Sequence, residues 1–209
     1  MGAVTYPLTM PTHVGIKSSR FSLEKNIAVN RSAFSGKQQV YDFGLALWKA
    51  QITLPPMSRA QARQWQAFYV ALRGRFGTFK MGDPDAKTPD GTAKNVNLGI
   101  VQADGAKTSH IETNDITIDN ISGSTGDIFL FAGEWISIHN RLYMVRENAT
   151  RDSSGHVNIE FEPALKDDVV NNQTFRVANT LGLWRMDTNE LGWDVDHVSK
   201  YGFTFSCTE

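Results

Sequence analysis

The last stretch of the chain alternates without a break. Tyr201, Phe203, Phe205 and Cys207 fall on one side of an extended strand, and Gly202, Thr204 and Ser206 fall on the other. A strand this apolar on one face needs a sheet that will cover it. The matching pattern lies far upstream, where Trp48, Ala50, Ile52 and Leu54 alternate with Lys49, Gln51 and Thr53. The two ends of the chain are therefore expected to share one sheet. This predicts a mainly β fold with a discontinuous first domain, residues 1–82 and 174–209, around an inserted second one, residues 83–173.

Upstream of the boundary the reading is an extended N-terminal arm carrying Pro7 and Pro11, with one short strand at most. Strands follow at Arg20–Asn30, Gln38–Phe43 and Leu45–Leu54, with a turn at Ser35-Gly36-Lys37. Pro55-Pro56 stops the last of these, and one helix is predicted at about 58–73. Ser58 and Gln61 have the spacing of a capping box. Ala62, Trp65, Phe68, Tyr69 and Leu72 recur at three- and four-residue steps, which makes a single apolar stripe for packing on a sheet rather than a ligand box. Gly74 is the expected C-terminal cap. Phe76–Met81 then returns as a strand.

Gly82-Asp83-Pro84-Asp85 and Thr88-Pro89-Asp90-Gly91 are dense turn signals. Beyond them, strands are predicted at Val96–Gln102, Asp115–Ile121, Trp135–His139, Leu142–Asn148 and Val157–Glu162. Asn140-Arg141 is read as a tight connection. Five short strands suit a small barrel of the oligonucleotide/oligosaccharide-binding (OB) kind. Lys166–Gln173 leads out, Phe175–Arg185 is strand-like, and Asn189–Gly192 has the look of a turn.

With 21 basic and 22 acidic residues the net charge is -1, so charge alone gives no reason for strong nucleic-acid or anionic-membrane binding. The lone cysteine, Cys207, allows no intrachain disulfide and no thiolate zinc site. No stretch approaches the ~20 apolar residues of a spanning helix, and Met1–Pro11 lacks the features of a signal peptide. A soluble protein, made in the cytoplasm and not inserted in a membrane, is the expectation.

Chemistry finds little support. Phosphate-loop patterns are absent, and Ser122-Gly123-Ser124-Thr125-Gly126-Asp127 reads as a turn. His13, His110, His139, His156 and His197 are scattered. Asp194-Val195-Asp196-His197 is the one tempting metal cluster, with both carboxylates on one face if it is a strand, but it lacks the further positions of a calcium loop. Cys207 shares a face with aromatics and reads as a buried, inert thiol. Asp127, Glu134, Glu160 and Glu162 are read as decorating outer strand faces. No cofactor, metal or catalytic set is assigned. Phe129, Trp135 and Tyr143 are the candidate ligand or interface aromatics, with Phe131 beside them, because such barrels stack rings on exposed aromatics. Trp135, preceding Ile136-Ser137-Ile138, is expected to point away from the isoleucines, and core or protein interface is favoured over a binding platform.

The layout as a whole resembles a known family. The strand Ala46-Leu47-Trp48-Lys49-Ala50-Gln51-Ile52-Thr53-Leu54 precedes the capped helix with Trp65, Phe68, Tyr69 and Leu72, and the chain returns through Gly77-Thr78-Phe79-Lys80-Met81. The insertion carries Gly133-Glu134-Trp135-Ile136-Ser137-Ile138-His139, Leu142-Tyr143-Met144-Val145 and Val157-Asn158-Ile159-Glu160-Phe161-Glu162-Pro163-Ala164-Leu165, and the end is Tyr201-Gly202-Phe203-Thr204-Phe205-Ser206. This is similar to the distal tail proteins of siphophages, in a short form with an inserted OB-like barrel. The likeness spans residues 35–209 and is one of layout more than of invariant motifs.

The resemblance implies a tail-tube-like β-sandwich or barrel with one packed helix. It implies a homo-oligomeric ring, a hexamer in most members, at the distal end of the phage tail in the virion. The ring joins the tail tube protein to the baseplate hub or central fibre protein, and DNA passes through unread. It implies no enzyme activity and no cofactor. In some relatives the outward barrel binds carbohydrate, so a host glycan is a further expected partner. The alternatives are a carbohydrate-binding module for host attachment, a head–tail joining or tail completion protein, and a small β-rich hydrolase with a carboxylate-lined cleft or a Ser/His pair. The Pro-punctuated arm is expected to reach a neighbouring subunit.

Overall fold

The computed structural model describes residues 4–104 and 109–209. In chain order the strands and helix are β1 (Leu8–Thr9), β2 (Ser18–Arg31), β3 (Gln38–Thr53), α1 (Arg59–Leu72), β4 (Phe79–Met81), β5 (Ile100–Gln102), β6 (Asp115–Ile118), β7 (Ile128–Leu130), β8 (Trp135–Ile138), β9 (Arg141–Val145), β10 (Ala149–Thr150), β11 (Val157–Glu162), β12 (Thr174–Arg176), β13 (Gly182–Met186), β14 (Asp194–Val195), β15 (Tyr201–Gly202) and β16 (Thr204–Thr208). The fold is mainly β, with the one α-helix among the described residues at Arg59–Leu72. That helix is too short to cross a membrane.

One six-stranded sheet has the order β1-β4-β13-β16-β3-β2 and another has β5-β12-β8-β9-β11-β6. The C-terminal strand lies where its alternation requires: β16 pairs with β3, Phe205 opposite Ile52 and Cys207 opposite Ala50. Phe203, Phe205 and Cys207 enter the first core with Trp48, Ile52, Phe79 and Trp184. The helix lays Ala62, Trp65, Phe68, Tyr69 and Leu72 on the same core, the stripe read from the sequence. Gln61 Oε1 accepts from the Ser58 backbone N–H at 3.1 Å and from the Ser58 hydroxyl at 3.0 Å, closing the first turn. The left-handed cap begins one residue earlier than predicted, at Arg73 with φ 53°. Gly74 follows with φ 64°, and a side chain there would also meet the Asn189 backbone at 2.8 Å.

The second sheet surrounds its own core of Val101, Ile116, Ile118, Ile136, Ile138, Tyr143, Val157, Ile159, Phe161 and Phe175. A bridge from Ala103 to Ile118 draws its two outer strands together, so the sheet curls toward a barrel.

Several local readings need correction. Gln38–Thr53 is one strand rather than two, because the chain passes Phe43–Leu45 as an irregularity in the pairing with β2 instead of turning. The β8–β9 turn is His139-Asn140, with φ of 52° and 61°, not Asn140-Arg141. Phe175–Arg185 is two strands in different sheets: β12 pairs with β5 and β8, whereas β13 pairs with β4 and β16. Val96–Gln102 begins as 3-10 turns, and its strand starts at Ile100. The described part of the N-terminal arm carries one short strand, as read from the sequence. Tyr6 donates its hydroxyl to the Ala71 carbonyl at 2.6 Å, β1 pairs in parallel with β4, and Leu8, Met10, Val14 and Ile16 pack on the first core.

Candidate functional site

The strands β2 and β3 are far longer than their neighbours. β16 covers β3 only over Lys49–Thr53, yet β3 continues back to Gln38 with β2 as its partner. At ~3.3 Å per residue, β3 is about 50 Å long, and among the described residues its outer half has no third strand. Ile27 to Arg31 pair with Asp42 to Gln38, and every residue from Glu24 to Leu45 is exposed. A two-stranded ribbon projects from the body.

Its sequence is not that of a solvated ribbon. Ile27, Val29, Phe34, Val40, Tyr41, Phe43 and Leu45 are all exposed large apolar side chains, Val29 at 60% and the tip residue Phe34 fully so. The register places Val29 opposite Val40 on one face and Ala28 opposite Tyr41 on the other. Apolar surface therefore lies on both sides of the ribbon. The tip is formed by local chemistry. Lys37 O accepts from Ser32 N–H and Ser32 O from Gly36 N–H, both at 2.9 Å, and Gly36 takes φ 67°. At the base, Gly44 has φ 67° and its N–H is held by Asp42 Oδ1 at 2.8 Å. The ribbon leaves the body beside the second sheet, where Lys25 pairs with Glu162 at 3.0 Å.

The predicted aromatics are elsewhere. Phe129, Trp135 and Tyr143 are all buried, at 1%, 5% and 2% exposure, so none offers a face for a sugar or a base. Tyr143 stacks edge-on with Phe161 inside the second core, where burial pushes its phenol up to about 12. Trp135 does point away from Ile136 and Ile138, but that side is not solvent. It joins the first core, 4.6 Å from the Trp48 ring, with its indole donating to Asp83 at 3.3 Å. Phe131 is half-exposed and stands alone of its group. An open cleft of about 680 Å³ on the second sheet is lined by polar Gln102, Asp119, Asn120 and Asp127 together with apolar Val96, Ile100 and Ile121, and of the predicted aromatics it reaches only buried Phe129.

The acidic residues serve local structure. Asp127 accepts from Ser124 N–H at 2.7 Å within the Gly-rich turn. Glu134 holds Phe131 N–H at 2.9 Å, Glu160 pairs with Arg146, and Glu162 with Lys25. Asp194 and Asp196 do not share a strand face. β14 ends at Val195, and Asp196 accepts from Val198 and Lys200 N–H at 3.0 and 2.7 Å to make a turn. Among the described residues no group of three or more His, Cys, Asp or Glu side chains is placed to hold a metal ion. Cys207 is fully buried, and burial pushes its thiol well above the usual range.

The projecting ribbon was missed by pattern reading. The signal was present as two long strand patterns meeting at one short turn, with Val40, Tyr41, Phe43 and Leu45 crowding both faces of the second. Compared with protein-family models the chain matches none, and compared with curated proteins it finds no match.

Proposed function

We propose that this chain is a structural assembly protein of a long-tailed phage, forming a ring at the distal end of the tail tube that joins the tube to the baseplate hub or central fibre. The single observation that carries the self-assembly part is the apolar ribbon of residues 24–45, every residue of which is exposed. An isolated two-stranded hairpin is marginal in water, and its free edges and faces are a hazard for a monomer that a closed ring of copies removes. The phage position rests on the layout resemblance, in which a helix-packed, tube-like sheet carries a barrel between its strands. The proposed partners are other copies of the chain in a hexamer, the tail tube and the hub or fibre, with DNA passing through the ring.

Two measurements test this reading. Light scattering on the purified chain should report a closed oligomer, and a monomer at every concentration sinks the ring. Gold-labelled antibody imaging of phage particles should place the chain at the tail tip. Label at the head–tail joint moves it to the opposite end, and no label removes the virion reading.

A further inference from the structure

A head-to-tail ring needs a second surface, different from the ribbon, to receive it. The strongest match on the molecule is the segment from Asp187 to Val198. It contains Asp187, Glu190, Asp194 and Asp196, and neither lysine nor arginine occurs between Arg185 and Lys200. It also exposes Trp193 at 41%, together with Val195 and Val198. Trp193 is braced from below, its ring 6.2 Å from that of Phe203.

The ribbon has the opposite character. From Asn26 to Tyr41 its charged residues are Arg31 and Lys37, with no acid among them. None of Arg31, Lys37, Glu190 and Asp194 takes part in an ion pair among the described residues. Phe34 stands fully exposed at the ribbon's end, an aromatic anchor of the kind that dominates interfaces.

The topology puts these two surfaces at opposite ends of the same strand pair. The ribbon tip is where Arg31 faces Gln38, and the other end is where Ser18 faces Thr53. Beyond Thr53 the chain is bridged from Met57 to Tyr201, and β15 in turn pairs Tyr201 with Val195 and Gly202 with Asp194. A basic apolar tip and an acidic apolar shelf thus sit at the two ends of a strand about 50 Å long. Each copy can receive one neighbour while engaging the next.

We infer that the ribbon tip of one copy docks on the Glu190–Val198 shelf of a second copy, with Phe34 against Trp193 and Val195, and Arg31 and Lys37 against Glu190 and Asp194. This rests on the self-assembly reading above. The charges set orientation and partner choice, and the apolar contact supplies most of the attraction. Association should weaken as ionic strength rises.

Charge reversal on the full chain tests the pairing. R31E/K37E and E190K/D194K, each checked for native circular dichroism, should each raise the dissociation constant by roughly tenfold or more in light scattering. The combined variant, with both surfaces reversed, should recover most of that loss. Wild-type assembly that survives both reversals unchanged overturns this pairing while leaving the ring. Failure of the combined variant to recover also overturns it. A wild-type chain that never associates overturns the ring as well.

Discussion

The indole nitrogen of Trp48 donates a 3.0 Å hydrogen bond to the backbone carbonyl of Leu142. It joins the first sheet to the second at a point where both are buried. The Leu142 N–H is held from the same side, by Glu209 Oε1 at 2.7 Å, and the Glu209 N–H returns to the Trp48 carbonyl at 2.9 Å. One residue of β9 is gripped through both of its main-chain groups by β3 and the residue following β16.

Replacing Trp48 with Phe should therefore cost more than a trimmed ring. It leaves the Leu142 carbonyl without its donor in a buried site, and a loss of about 1–3 kcal/mol is expected. Trp48→Ala also removes the contact with the Trp135 ring and should cost about 3–5 kcal/mol. Urea unfolding measures both.

The Glu209 side chain gives stability a pH dependence. Burial raises its carboxyl from 4.5 to about 7, against the opposing pull of the Leu142 N–H and Arg141. A folded-state value above the unfolded one means that the native state holds the extra proton. This contribution is full below pH 4.5 and is lost as pH rises toward about 7. Glu209 retains partial solvent contact, so the effect is on the order of 1–2 kcal/mol. Glu209→Gln keeps an acceptor for Leu142 and should flatten the urea midpoint across this window. An unchanged slope would assign the dependence to other groups.

Tyr69 offers a substitution in the stabilising direction. Among the described residues its buried hydroxyl has no hydrogen-bond partner, and desolvation pushes its phenol well above the usual range. Tyr69→Phe should be neutral or raise stability by up to about 1 kcal/mol, read as a shift in the thermal midpoint.

Gly82 is required by space. A Cβ there would overlap the Thr180 carbonyl oxygen. That oxygen is main chain and cannot swing aside, so Gly82→Ala should destabilise by about 2–3 kcal/mol. Ribbon substitutions such as Val29→Asp should instead leave the thermal midpoint nearly unchanged, within about 0.5 kcal/mol, while abolishing association.

What could be read in advance was what neighbours in sequence decide. The helix stripe of Ala62, Trp65, Phe68, Tyr69 and Leu72 was legible because a helix face is set by local period, and the alternation of β16 was legible for the same reason. The direction of Trp135 followed from its parity with Ile136, but its burial depended on Trp48 and Phe21 arriving from another sheet. Gly44 looked like a strand end, since its left-handed φ suits a turn as well as an irregularity inside a strand. The ribbon's two-faced apolar pattern stood in the sequence, but its projection did not, because that depends on how short a stretch of β3 is covered by β16.

The chain leaves the first sheet at Met81 and rejoins it at Gly182, and these two residues are directly paired. Everything between them hangs from a single doorway, so a different module could be transplanted there without lengthening or shortening any strand of the host sheet. The graft would not be free of obligations. Trp48 and Phe21 lie beneath Trp135 and Leu142, and a replacement that lacked an apolar cap and a carbonyl for the Trp48 indole would leave two aromatic rings wet and a buried donor unanswered.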